Sequence, residues 1–345
     1  MSAASIAGSK QSLRAFWYTL AILNTGLVAA GFILASRYQV PAAIAVPIVL
    51  AFLLQASVYL VPGFPQIRAA LESRFTPREL AALLAAVSVT PYLIYSVPAG
   101  VFALAGLTKL TALVLIVCLP FLVAPSSDKR LGWQDIVVLL ALAYPMISGL
   151  SPMFREIYRS PIPDITKLDF LGKLMLVPLG AMVFLSIRKL PATGFRLAVS
   201  AADLKVGLKN YLLFLPIGIP LALVTGFVQW GPKPIHQWTY IPELLGNTLG
   251  VYAFVALGEE LYFRGILQNL LSRHFSSAAT AQVIASILYA LSHLSSRHFP
   301  NWEYAAVTLV LGWFCGRAYV QTQSVVAAAV THTAVVVSLR FLFES

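Results

Sequence analysis

Residues 248–267 read TLGVYAFVALGEELYFRGIL. The run from Thr248 to Leu257 is apolar, Glu259, Glu260 and Arg264 then interrupt it, and Ile266 and Leu267 resume it. Burying an ionisable side chain inside an apolar span is costly, so its presence there marks a site with work to do. The fold follows from whether the rest of the chain is built from comparable runs.

It is. Hydrophobic residues make up 59% of the 345-residue chain and charged residues 11%, with a mean hydropathy of +0.82. A soluble domain carries roughly 25% charged residues, so too few charges are present to cover a soluble surface. Long rather than alternating apolar runs predict helices, not a barrel. The runs fall near 16–36, 41–61, 80–104, 109–124, 134–150, 168–187, 208–228, 243–272, 277–294, 303–320 and 324–343. The expectation is an all-α, polytopic transmembrane helical bundle of about 11 segments, within a range of 8 to 11, most near the ~20 residues a bilayer requires. Pro91, Pro98 and Pro120 interrupt the third and fourth runs, which are expected to form one broken unit.

The net charge of +11 comes from Lys and Arg in the short loops, without a basic patch interleaved with aromatics, and nucleic-acid binding is not expected. Counted on alternate sides of the eleven runs, fifteen basic residues face nine. The positive-inside rule then places the N-terminus in the cytoplasm, as in a multi-pass protein of a bacterial cytoplasmic membrane. The basic linker Arg188-Lys189-Leu190-Pro191 separates an N-terminal transmembrane region, 1–190, from a C-terminal core, 205–345. Cys118 and Cys315 lie inside apolar runs and read as core residues. Gly246, Gly250 and Gly258, the pair Gly312 and Gly316, and Ala327 to Ala329 are small residues that let helix backbones approach.

Besides the acidic pair, two more polar residues fall inside runs: His293 and His332. His236, His274 and His298 fall in loops and are expected to be solvated. If a turn near Arg273 to Ser276 joins the eighth and ninth runs, helix rise puts Glu259 about 21 Å, and His293 about 26 Å, above it. His332 stands about 15 Å above the start of its own run. All three lie inside a core about 30 Å thick and are expected to converge on one cavity. Glu260 and Arg264, spaced i, i+4, can pair along one helix face. Glu259 is turned about 100° away and needs another partner.

These residues carry a resemblance. Glu259-Glu260-x-x-x-Arg264 resembles the first motif of the CAAX-protease and bacteriocin-processing (Abi) family of intramembrane endopeptidases. Tyr289-x-x-x-His293 resembles the second motif, and His332 the third. The resemblance covers roughly 205–340. One position departs from it: where the family's third motif carries an asparagine four residues after the histidine, this chain has Val336. In the family that asparagine is held to stabilise the oxyanion.

The resemblance implies hydrolysis of a peptide bond in a membrane-associated protein or peptide, as in type II CAAX prenyl endopeptidases, with the lipid bilayer as surroundings. Glu259 would be the general base, His293 would orient the water or share its proton, and His332 would face the carbonyl oxygen. Glu260 and Arg264 would support Glu259. No cofactor is favoured. A zinc version stays open, with Glu259, His293 and His332 as a His₂Glu ligand set, although no H-E-x-x-H is present. Two non-enzymatic readings also stay open: a catalytically weak immunity or scaffold protein, and a proton-coupled transporter.

Overall fold

The computed structural model describes residues 3–124, 130–147, 152–162, 168–234 and 239–344, with side chains from Leu13 onward. Its helices are α1 Ala3–Arg37, α2 Ala42–Leu60, α3 Pro65–Arg74, α4 Pro77–Ser96, α5 Leu104–Val123, α6 Trp133–Met146, α7 Met153–Ile157, α8 Phe170–Ile187, α9 Ala201–Val224, α10 Tyr240–Phe275, α11 Ala278–Leu291, α12 Trp302–Thr322 and α13 Val325–Leu342. The only sheet among the described residues is a two-stranded antiparallel ribbon, β1 (Gln229–Trp230) with β2 (Phe343–Glu344).

A helix underlies each of the eleven apolar runs, but eight are long and apolar enough to cross a membrane among the described residues. α6 and α11 are too short, and α12 carries Glu303 and Arg317 within its length. The third and fourth runs are two helices, not one broken unit. α4 keeps Pro91 inside it and ends at Ser96, while Pro98 falls in the connection, where Gly100 takes φ +70°. The Tyr92 hydroxyl clamps that connection, accepting from the Ala103 amide and donating to the Ala103 carbonyl at 2.9 Å each. α3, with no buried residue, is a surface helix in what the apolar pattern leaves as a loop.

The chain clusters into two compact units, one holding most residues up to Lys189 and the other Leu190 onward. In the first, α2 packs against α1, α4 and α8. Asp135 of α6 and Arg188 form an ion pair at 2.9 Å with both side chains fully buried.

In the second unit α9 packs on α12 and α13, α11 on α12, and α10 on α13. Capping sets where α9 starts: Ser200 Oγ accepts from the Asp203 amide and Asp203 Oδ2 accepts from the Ser200 amide, a reciprocal box that satisfies two otherwise orphaned donors. Gly207 brings α9 onto α13, since a Cβ there would lie 2.6 Å from Val330 Cβ and 2.8 Å from the Ala327 carbonyl. The Thr331 hydroxyl donates to the Gly207 carbonyl across that contact at 2.9 Å. Gly312 packs against Tyr289 and Ser286, and Gly316 against Gln282 and Gln268. Gly246 and Gly250, expected to serve the same end, have nothing within 4 Å of a Cβ position; they face outward from the α10 contact.

Candidate active site

α10 is not a uniform α-helix. It runs as α-helix over Tyr240–Val251, π-helix over Tyr252–Ala256, one α-turn over Leu257–Glu260, π-helix over Leu261–Gln268 and α-helix to Phe275. π-turns inside helices concentrate at functional sites, and both acidic residues sit in the α-turn between two of them.

The two glutamates face different surroundings. Glu260 is fully buried, and both its oxygens are engaged. Oε2 accepts from Arg264 Nε at 3.0 Å, the pairing that the i, i+4 spacing anticipates. Oε1 lies 2.8 Å from His332 Nδ1. Glu259 is half-buried, and its Oε2 is buried with no hydrogen-bond partner among the described residues. No hydrogen bond links Glu259 to either histidine among the described residues. Neighbouring residues point about 100° apart, and the phase of α10 turns Glu260, not Glu259, onto His332 of α13.

Arg264 is as buried as its partner, and its guanidinium lies over the Tyr289 ring, 5.4 Å from the centroid. Tyr289, 1% exposed, is the hub of the site. Its ring meets Phe263 at 5.0 Å, His293 at 4.7 Å and His332 at 6.1 Å, all edge-to-face. The expected turn between α10 and α11 is present: Ser276 takes φ 52°, and Ser277 Oγ caps α11 by accepting from the Thr280 amide. His293 sits just beyond the α11 C-terminus. Its Nδ1 is 2.8 Å from the Tyr289 carbonyl. A carbonyl only accepts, so Nδ1 carries the proton and Nε2 is left as an acceptor. His298 is exposed in a loop, as expected, and His274 is exposed too but lies in the last turn of α10 and not in a loop; His236 lies outside the described residues.

Among the described residues, Glu259, His293 and His332 do not bring their donor atoms within 4.8 Å of one another. The group whose donor atoms lie within 4.8 Å of one another is Glu260, Cys315 and His332. It does not suit a cation. Both Glu260 oxygens and His332 Nδ1 are spent on each other and on Arg264, and the arginine already supplies the positive charge that the carboxylate balances. Adding a dication would set it beside a buried guanidinium, against the Coulomb term.

Two parts of the site escape sequence reading. Cys315 reads as a core residue, and it is fully buried; only packing places it beside Glu260 and His332. Tyr304, near the start of α12, belongs to no motif. Its ring meets His293 edge-to-face at 4.8 Å and stacks on Phe227 at 4.7 Å. An aromatic residue near a helix start carries no signal of such a role.

The segment holding Glu259, Glu260, Arg264, Tyr289, His293, Tyr304 and His332 also matches a known family: residues 241–338 fit the family model for type II CAAX prenyl endopeptidase, Rce1-like. Over these residues the chain is similar to that family. The match supports an intramembrane endopeptidase of the CAAX-protease kind in general, and with eight membrane-length apolar helices it makes the chain an integral membrane protein. Neither a search of curated proteins nor one of solved structures gives a match.

Proposed function

We propose that the chain hydrolyses a peptide bond of a membrane-associated protein or peptide, with Glu259 as the general base on water. The observation that carries this reading is the division of labour between adjacent glutamates. Glu260 is spent on Arg264 and His332, whereas Glu259 keeps a buried carboxylate oxygen with no hydrogen-bond partner among the described residues. A buried acceptor without a partner costs about 1–3 kcal/mol. Such an atom suits a bound water.

The chemistry balances with these groups. Water donates one hydrogen bond to Glu259 and a second to His293 Nε2, the acceptor left by the Nδ1 contact to Tyr289. As the water oxygen attacks the carbonyl carbon, its proton passes to Glu259 and the carbonyl oxygen gains the negative charge. On collapse the C–N bond breaks, and protonated Glu259 returns the proton to the leaving amine. His332 faces the carbonyl, oriented by Glu260; Arg264 neutralises Glu260, so that a second free carboxylate does not crowd the base.

The test is a fluorogenic membrane-peptide library with purified full-length protein in detergent or liposomes. Wild type should cleave, and Glu259→Gln, which keeps the shape but cannot take the proton, should lose about 10²–10⁴ in kcat. A folded wild type that cleaves no peptide, whatever the library, would instead support the scaffold reading.

A further inference from the structure

Attack on a peptide carbonyl creates an oxyanion, and the oxyanion requires hydrogen-bond donors in place before it forms. The groups already given roles do not supply a neutral one. His293 spends its N–H on the Tyr289 carbonyl at 2.8 Å. His332 points Nδ1 at Glu260, so its Nε2 donates only when the ring is charged. Val336, one turn beyond His332, has no donor and packs with the apolar cluster of Val251, Val337 and Phe341.

Tyr304 does meet the requirement. We propose that the Tyr304 hydroxyl donates to the substrate carbonyl oxygen and holds the oxyanion; this rests on the peptidase reading above. Four features support the assignment. The Tyr304 ring is held from two sides, edge-to-face on His293 at 4.8 Å and stacked on Phe227 at 4.7 Å with 14° between planes. The start of α12 is fixed by Asn301, whose Oδ1 accepts from the Tyr304 amide at 2.8 Å. The ring is therefore pre-organised, and the Glu259 carboxylate lies within electrostatic reach of it. Finally, Tyr304 is half-buried, so substrate can touch it, whereas Tyr289 is 1% exposed. The phenol supplies a neutral O–H; no proton is transferred to the oxyanion, and the charge is released when the C–N bond breaks.

The experiment compares wild type and Tyr304→Phe in the full-length protein, which keeps both ring contacts and removes only the hydroxyl. Loss of one oxyanion donor is expected to lower kcat by about 10²–10³-fold, with KM and thermal unfolding unchanged. A peptide aldehyde, whose hydrate mimics the tetrahedral intermediate, should bind Tyr304→Phe more weakly by a similar factor. An uncleavable N-methyl peptide should bind both forms equally. Wild-type kcat in Tyr304→Phe would overturn the assignment. So would equal weakening of the aldehyde and the N-methyl peptide, which would make Tyr304 a ground-state binding residue. A wild type that cleaves nothing overturns the peptidase reading itself and this assignment with it, and that result is read before any variant is made.

Discussion

His332 Nδ1 lies 2.8 Å from Glu260 Oε1, while Glu259, one residue earlier, keeps a buried oxygen without a partner among the described residues. Two chemically identical neighbours thus fall into different roles, one bound into a charge cluster and one left free. The first prediction separates them. Glu260→Ala strands a fully buried Arg264, and breaking a buried pair costs about 3–5 kcal/mol. Glu260→Ala should lower the thermal midpoint and the yield of folded protein in detergent, and Glu259→Ala should leave both near wild type while turnover disappears. Equal loss of stability in the two variants would remove the distinction.

Metal dependence gives a second test. Because Arg264 occupies the charge position beside Glu260, chelators are expected to leave turnover unchanged, and elemental analysis should find well under one zinc per chain. Stoichiometric zinc whose removal stops turnover and whose return restores it would contradict this.

Gly207 offers a third. A methyl group there meets Val330 Cβ at 2.6 Å and the Ala327 carbonyl at 2.8 Å, and neither can swing aside, because one is a branched Cβ and the other is backbone. Gly207→Ala should cost about 1–3 kcal/mol by overpacking. It should also disturb the Thr331 contact beside His332, so that turnover falls along with the unfolding midpoint. A variant as stable and active as wild type would mean that α9 and α13 can separate without consequence.

Val336→Asn is the fourth. The side chain at 336 packs with Val251, Val337 and Phe341, so an amide there is buried among apolar groups at a cost of about 1–3 kcal/mol. Turnover should not rise. A gain in kcat would show that position 336 reaches the oxyanion and would weaken the case for Tyr304.

A good part of this was legible beforehand. Too few charges to cover a soluble surface led to a helical membrane protein, and the i, i+4 spacing led to the Glu260–Arg264 pair. The connection at Ser276 was placed by the break between apolar runs. Span number was less legible, because α6 and α11 are short and a hydropathy run does not stop where a helix does.

The sequence by itself determined the fold class and the residue types available for chemistry, because burial of apolar runs in a bilayer and spacing along one helix are local properties. It did not determine which glutamate meets His332, that Cys315 stands beside that pair, or that Tyr304 holds His293 from the far side. Those depend on the rotational phase of α10, broken by two π-helical stretches, and on contacts between helices far apart in the chain, Glu260 and His332 being separated by 72 residues. A one-residue change in helical phase turns a side chain by about 100°, and only packing against α11, α12 and α13 sets that phase.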